Sequence, residues 1–455
     1  MKQLIENQRN YFNSNVTKDI EFRLKQLKKL YSVIKDNEKY LNKAIKDDFK
    51  KSEFDTYTNE LALLYSDIKE AIQKLHKWAR PKKVRTNLIN FPSKSYIIAE
   101  PLGVTLTIGA WNYPYQLSLV PIVASMAAGN TLVLKPSELP VNTSQAMAKI
   151  INDNFNTEYF TVVEGGIPET TALLDERFDK IFFTGSVSVG KIVYQAASRH
   201  LTPVTLELGG KSPVIITEKC NLEICVKRLI WAKFLNAGQT CIAPDYAFVH
   251  HSIKEKFLAL AKKEIQKSEF SFENDNYVQI INENNIKRLA NLLDTSKVYC
   301  GGNYKIEERY FEPTIMTNIT FDDTIMSEEI FGPILPVLTY DNIDIVIDEI
   351  KARPKPLACY VFTDDENIKS RVLKEISFGG GGVNDAVMHI TNSNMAFGGV
   401  GESGIGAYHG EAGFKIFTHY KSILDKPTWF EPDLKYHPHT KLKLKIIKWM
   451  MGQND

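Results

Sequence analysis

The chain has 455 residues and a mass of 51.7 kDa, which at roughly 150 residues per domain is room for about three units. With 44% hydrophobic and 24% charged residues it can bury a sizeable core, which excludes a wholly disordered chain. Lys+Arg 56 against Asp+Glu 54 leave a formal net charge of +2, so no global field holds nucleic acid. Five cysteines are too few, and odd in number, for a disulfide scaffold.

In chain order, the start MKQLIENQRNYFNSN lacks the apolar stretch of a secretory signal, and no run reaches the roughly 20 apolar residues of a bilayer span. With sparse cysteine, this points to a reducing cytoplasm. The first 80 residues carry helical spacing: Leu24, Leu27, Leu30 and Ile34, then Leu61, Leu64, Ile68 and Ile72. From Val84 to Val104 the period breaks at Pro92 and Pro101, and SKSYIIAE reads as a β-hairpin or arm. The runs GVTLTIGA, TLVLK, FTVVEG, KIFFTG and PVTLELG then alternate with helical segments, predicting a parallel, doubly wound sheet. A second α/β pattern follows Gly210, with SPVIIT, YAFVHH, PILPVLTY and LACYVFT as strands. From Phe378 to Gly413 dense glycine predicts loop-rich, tightly turning chain. Residues 435–451 hold five lysines and no acid, beside Leu442, Ile446, Trp449 and Met450 at helical spacing. That tail reads either as a solvated helix packing on the protein or a partner, the favoured reading, or as one lying on an anionic membrane surface.

Three patterns are decoys. Gly399-Val-Gly401-Glu-Ser-Gly404 fits the dinucleotide fingerprint but neither leaves a strand nor opens a helix. Gly210-Lys211-Ser212 resembles the end of a phosphate-binding loop, yet Thr205 stands where its first glycine is required. Cys220 and Cys225 have no second Cys/His pair at zinc spacing, so no metal site is expected.

Chemistry gathers elsewhere. Cys241 lies in NAGQTCIAP, where a preceding glycine and a following proline favour a loop, while the other four cysteines read as buried small hydrophobes. Glu207 stands in the apolar run VTLELGG, either as a strand-end acid facing solvent or as a buried carboxylate raised toward the range of a general base. Asn112, at the end of the first parallel strand, is either ordinary turn chemistry before Tyr113-Pro114 or an amide donor to an oxyanion.

Taken together with GAWNYPYQ, AAGNTLVLKPSE, FFTGSVSVGK, TLELGGKSP, NAGQTCIAPDY, EEIFGPILPV and FGGVGESGIGAYHG, these residues make the chain resemble the NAD(P)-dependent aldehyde dehydrogenases over nearly its whole length. The last two motifs, with GGVNDAVMHIT, resemble the class 3 branch. The resemblance implies Cys241 as nucleophile, Glu207 as general base and Asn112 as the side-chain half of an oxyanion hole. It implies cofactor contacts at Lys135 and Glu138, at Gly185, Ser186 and Gly190, and at Glu329 and Phe331, with Val187 departing from the threonine common in relatives. Tyr113, Trp231 and Phe397 match positions lining a substrate funnel, which suggests aliphatic or aromatic aldehydes of medium length. NAD is the expected cofactor, because Glu138 repels a ribose phosphate, with NADP as the second choice.

The implied fold is α/β. It has a doubly wound parallel-sheet cofactor domain (1–81 and 101–208), a second α/β catalytic domain (209–414), a β bridging arm (82–100 and 415–432) and a basic C-terminal tail (433–455). Such an arm implies a homodimer. The competing readings are a coenzyme A-acylating dehydrogenase, which needs no base, and a non-catalytic nucleotide-binding protein.

Overall fold

The computed structural model describes residues 1–452; the last three residues of the expected tail lie outside the described residues. The amphipathic periods of the first 80 residues become the helices Lys2–Asn13, Ile20–Asp36, Glu38–Phe49 and Ala62–Ala79, whose apolar stripes are buried. Ile20–Asp36 and Ala62–Ala79 pack on the helix Pro114–Ala128, which is apolar on every face and almost wholly buried despite Pro121 in its interior.

Two sheets organise the chain. The first runs, in spatial order, Gly404–Ile405, Val204–Leu208, Lys180–Gly185, Val104–Ile108, Thr131–Lys135 and Phe160–Val162. All neighbours are parallel except the two-residue edge strand Gly404–Ile405. From Val104–Ile108 the chain builds outward to Phe160–Val162, then returns to build on the other side with Lys180–Gly185. The order therefore reverses beside Val104–Ile108, which is where open α/β sheets form their crevice. The second sheet has seven strands, with Ile334–Tyr340, Tyr246–His250, Pro213–Ile216 and Ala358–Phe362 at its centre. Continuous apolar burial along these strands matches a parallel sheet covered on both faces. A third sheet pairs Lys82–Val84 and Thr418–Asp425 on either side of Lys94–Pro101, all antiparallel.

The glycine-rich stretch departs from its expected loop character. Gly380–Val383 is an edge strand of the second sheet, paired with Ala358–Phe362. A Cβ on Gly381 would lie 1.9 Å from the Cys359 carbonyl oxygen, so the strand needs the glycine whose density disguised it. The cysteine expectation also needs correction. Cys225 and Cys359 are buried, but Cys220 and Cys300 are half-buried, and Cys220 hydrogen-bonds Cys225. Among the described residues no helix is long and apolar enough to cross a membrane. The tail forms the helix Lys441–Met450, where Leu442, Leu444 and Trp449 are exposed.

Candidate active site

The carboxyl ends of the first sheet collect most of the expected residues. Lys135 ends the strand Thr131–Lys135, Gly185 ends Lys180–Gly185, and Glu207 is the penultimate residue of Val204–Leu208. The register sets Ile108 opposite Lys135 and Phe183, and Thr184 opposite Glu207. Asn112 follows just beyond Ile108, in the turn that opens the helix Pro114–Ala128.

Cys241 arrives from the other sheet, on the turn after the helix Leu222–Phe234. Asn236 (φ 52°), Ala237 (φ 53°) and Gly238 (φ 73°) are all left-handed. For the two non-glycine residues that conformation costs about 1–2 kcal/mol each. At Gly238 a Cβ would sit 2.3 Å from the Gly332 carbonyl oxygen, so no side chain fits. The strained turn is tied to the Asn112 loop. The Asn112 side-chain amide donates to the Gln239 carbonyl at 3.0 Å, and Asn236 Nδ2 donates to the Asn112 carbonyl at 3.0 Å. The Tyr113 and Thr240 hydroxyls bond each other at 2.7 Å. An amide nitrogen carries two donors, so Asn112 retains a second N–H for a substrate oxygen.

Electrostatics mark the same place. Burial pushes the Cys241 thiol up to about 12, reinforced by the nearby Glu329 and Glu207 carboxyls. Glu207 is buried, neither of its oxygens has a hydrogen-bond partner among the described residues, and burial alone holds its carboxyl well above the usual range. This excludes the solvent-facing reading of Glu207. Glu329 is raised to about 8, chiefly by burial and then by Asp245, against a lowering bond from the Gly210 N–H. Its carboxylate closes on the chain after Glu207: a Cβ on Gly209 would meet Glu329 Oε2 at 2.0 Å. The Cys241 thiol thus lies within electrostatic reach of two buried carboxyls in a poorly solvated crevice, a pattern that concentrates at functional sites.

The matching family is now identifiable from the chain itself. The profile described as "Aldehyde dehydrogenase family" matches residues 1–423. The chain belongs to the aldehyde dehydrogenase family. The 4,4'-diaponeurosporen-aldehyde dehydrogenase of Staphylococcus aureus is 46% identical over 444 residues, covering 96% of each chain. The mouse "Aldehyde dehydrogenase, dimeric NADP-preferring" is 41% identical, covering 92% of this chain and 93% of its own. Aldehyde dehydrogenase family 3 member H1 of Arabidopsis thaliana is 40% identical, covering 99% and 95%. Among solved structures, one described as "Substrate bound state of Staphylococcus Aureus AldH" superposes with a TM-score of 0.97 at 45% identity, covering 99% of both chains. This aldehyde dehydrogenase oxidises aldehydes to carboxylic acids and uses NAD(P).

The residues at the crevice fit a dinucleotide. The Lys135 ammonium is buried yet among the described residues has only the Pro136 carbonyl at 2.6 Å and the Glu138 carboxylate at 3.8 Å, which leaves donor capacity for ribose hydroxyls. Ser186 caps the helix Val187–Ser198, whose first-turn amides are a ready anion site. Gly190 lets that helix close on the sheet, since a Cβ there would lie 2.6 Å from Leu208 Cδ2. Phe331 is left-handed (φ 46°) and packs edge-on against Trp111, with ring centroids 5.3 Å apart.

The three expected substrate residues are dispersed. Trp231 is half-exposed and lines a cavity of about 650 Å3 together with Phe234, Leu235 and Asn236. Tyr113 lies on the Thr240 hydroxyl, and Phe397 sits in an aromatic cluster with His389 and Tyr408; neither lines that cavity.

Sequence reasoning missed the supports. Lys211, discarded with the false phosphate loop, donates to Asp245 at 2.6 Å and to the Glu328 carbonyl at 2.7 Å, bracing the Glu329 segment. Gln239 bonds the Gln279 carbonyl at 3.1 Å through Nε2 and the Ile281 N–H at 2.9 Å through Oε1. No local pattern announces such long-range partners.

Proposed function

We propose that Cys241, Glu207 and Asn112 carry out the aldehyde oxidation. The observation that carries this reading is the buried, partnerless Glu207 carboxyl beside a thiol held two residues from the Asn112 contact. Cys241 Sγ, its proton released to water, bonds to the aldehyde carbon, and the carbonyl oxygen accepts a hydrogen bond from the free Asn112 N–H. When bound, oxidised NAD(P) supplies the hydride acceptor that turns the thiohemiacetal on Cys241 into a thioester. Glu207 then accepts a proton from water as the water oxygen attacks the thioester carbon; the carbon–sulfur bond breaks, the carboxylic acid leaves, and the proton on Glu207 restores the Cys241 thiol.

Cofactor recognition follows from Lys135 and Glu138 at the ribose hydroxyls, the Val187–Ser198 helix end at the pyrophosphate, and Glu329 with Phe331 at the nicotinamide ribose. Glu138 favours NAD over NADP, because a second anion beside its carboxylate is repelled; the mouse relative is named NADP-preferring. The wall of the Trp231 cavity includes Glu53, Asp55, Glu264 and Asp275 against one lysine, Lys227. That charge balance disfavours anionic semialdehydes and supports uncharged aliphatic or aromatic aldehydes of medium length, with Tyr113 and Phe397 as inner aromatic surfaces. The Staphylococcus aureus relative is named a 4,4'-diaponeurosporen-aldehyde dehydrogenase.

The domain reading is a cofactor unit (1–81, 101–208), a catalytic unit (209–414), an arm (82–100, 415–432) and a tail (433–455). Gly404–Ile405 is the stretch of the catalytic unit that pairs into the first sheet. A cytoplasmic homodimer fits the largely exposed outer strand Thr418–Asp425, which lacks a second neighbour among the described residues.

The test follows NADH from aldehydes of increasing length without coenzyme A, in the natural chain and in Cys241→Ser. Turnover that rises with chain length, and is absent from Cys241→Ser while NAD still binds, is expected. Undiminished turnover in Cys241→Ser refutes the assignment, and a requirement for coenzyme A refutes the hydrolytic route.

A further inference from the structure

Behind Asn112 lies an ion pair that none of the chemistry above uses. Lys51 and Glu60 have side chains only 1% and 0% exposed, and Lys51 Nζ bonds Glu60 Oε1 at 2.8 Å. Buried charges of this kind are costly to desolvate and are retained only where their geometry is well satisfied. Here it is satisfied by the Asn112 turn. Lys51 Nζ also donates to the Asn112 carbonyl at 3.3 Å and stands 4.5 Å from the centre of the Tyr113 ring. The second Glu60 oxygen, Oε2, accepts the Tyr115 N–H at 2.7 Å and the Gln116 N–H at 3.4 Å. Those are orphan amides at the start of the helix Pro114–Ala128, where a carboxylate is favoured by the helix dipole. Glu60 itself lies on a single π-helical turn, Tyr57–Leu61, which shifts the helical register locally.

The pair therefore grips residues 112–116 from both ends: the ammonium holds the Asn112 carbonyl, and the carboxylate holds the amides three and four residues later. Asn236 holds the same carbonyl from the nucleophile side. Two donors thus fix the peptide plane from which the Asn112 side chain extends, and the Gln239 carbonyl holds its amide at 3.0 Å. We propose that Lys51 and Glu60 are positioning residues that set the Asn112 amide for the oxyanion, an inference that rests on the reading of Asn112 as an oxyanion donor. Neither touches substrate or cofactor. They act by holding a donor where charge develops, and a displacement of about 1 Å there costs up to roughly a hundredfold in rate.

The test is a double-mutant cycle on the full chain. Lys51→Met/Glu60→Gln removes both charges together, so no lone buried charge is left to unfold the protein, and thermal unfolding checks that it folds. The rate read is single-turnover NADH formation at saturating aldehyde, with the NAD dissociation constant measured alongside. The expected result is a loss of about tenfold in that rate, NAD affinity changed less than twofold, and Asn112→Ala alone losing about a hundredfold. In the Asn112→Ala background the same double substitution should change the rate less than twofold, because the group it positions is gone. A second variant, Glu60→Asp, keeps the charge with a shorter reach and should recover part of the loss. A full tenfold loss in the Asn112→Ala background overturns the inference, since the pair then acts elsewhere. No loss from the double substitution, with Asn112→Ala still impaired, also overturns it and leaves Asn112 standing. An unimpaired Asn112→Ala refutes the oxyanion reading itself, and this inference with it.

Discussion

Replacing Glu207 with glutamine separates the chemistry of the site from its stability, because neither carboxyl oxygen has a hydrogen bond to lose. The substitution is near-isosteric and removes the only group assigned as base. General-base assistance is worth about 10²–10⁴-fold, so steady-state turnover should fall by at least about a hundredfold. Thioester formation needs no water, so rapid mixing should still show a burst of one NADH per active site. Stability should move the other way. Burial raises the folded-state pKa of Glu207 above its unfolded value. Between those two values the folded chain binds more protons than the unfolded one, and stability falls as pH rises, at about 1.4 kcal/mol per pH unit. The glutamine variant lacks that fall. It should match the natural chain below the unfolded glutamate pKa, near 4.5, and exceed it at neutral pH. Urea unfolding at several pH values measures this. A variant with undiminished steady-state turnover, or one that is less stable at neutral pH, refutes the assignment of a desolvated base.

Glu329→Gln removes one of the two carboxylates that raise the Cys241 thiol, so alkylation by iodoacetamide should reach its half-maximal rate at lower pH. An unchanged alkylation profile contradicts the coupling. Gly190→Ala drives a methyl group into Leu208, and should cost about 1–3 kcal/mol of stability and weaken NAD binding; calorimetry and cofactor titration measure both. For the tail, deletion of residues 435–455 should leave flotation with anionic vesicles unchanged, consistent with a solvated helix; flotation lost on deletion assigns the exposed face of Lys441–Met450 to a lipid surface.

Local pattern carried much of the fold. The short β-rich runs from 103 to 209 became the parallel strands of the first sheet because buried parallel strands are near-continuous apolar segments. Gly380–Val383 escaped because three of its four residues have no side chain, and the pairing depends on a backbone approach that sequence alone does not encode. Cys241, Glu207 and Asn112 were legible as oddities in their runs, and as members of a family by their motifs. Lys51 and Glu60 were not. Lys51 lies between two helices and Glu60 in a helical turn, 61 and 55 residues before their first contacts in the Asn112 turn, and their burial arises only when the helix Pro114–Ala128 docks on the N-terminal bundle. Lys211 shows the converse: a false motif concealed a brace that only the folded chain reveals.

The central claim is that aldehyde carbon becomes covalently bound to Cys241. Glu207→Gln, mixed with aldehyde and NAD and quenched in acid within one turnover, should yield a Cys241 peptide heavier by one acyl group. The peptides carrying Cys220, Cys225, Cys300 and Cys359 should remain unmodified. NADH formation without an acyl adduct on Cys241, or with the adduct on another cysteine, would contradict the account.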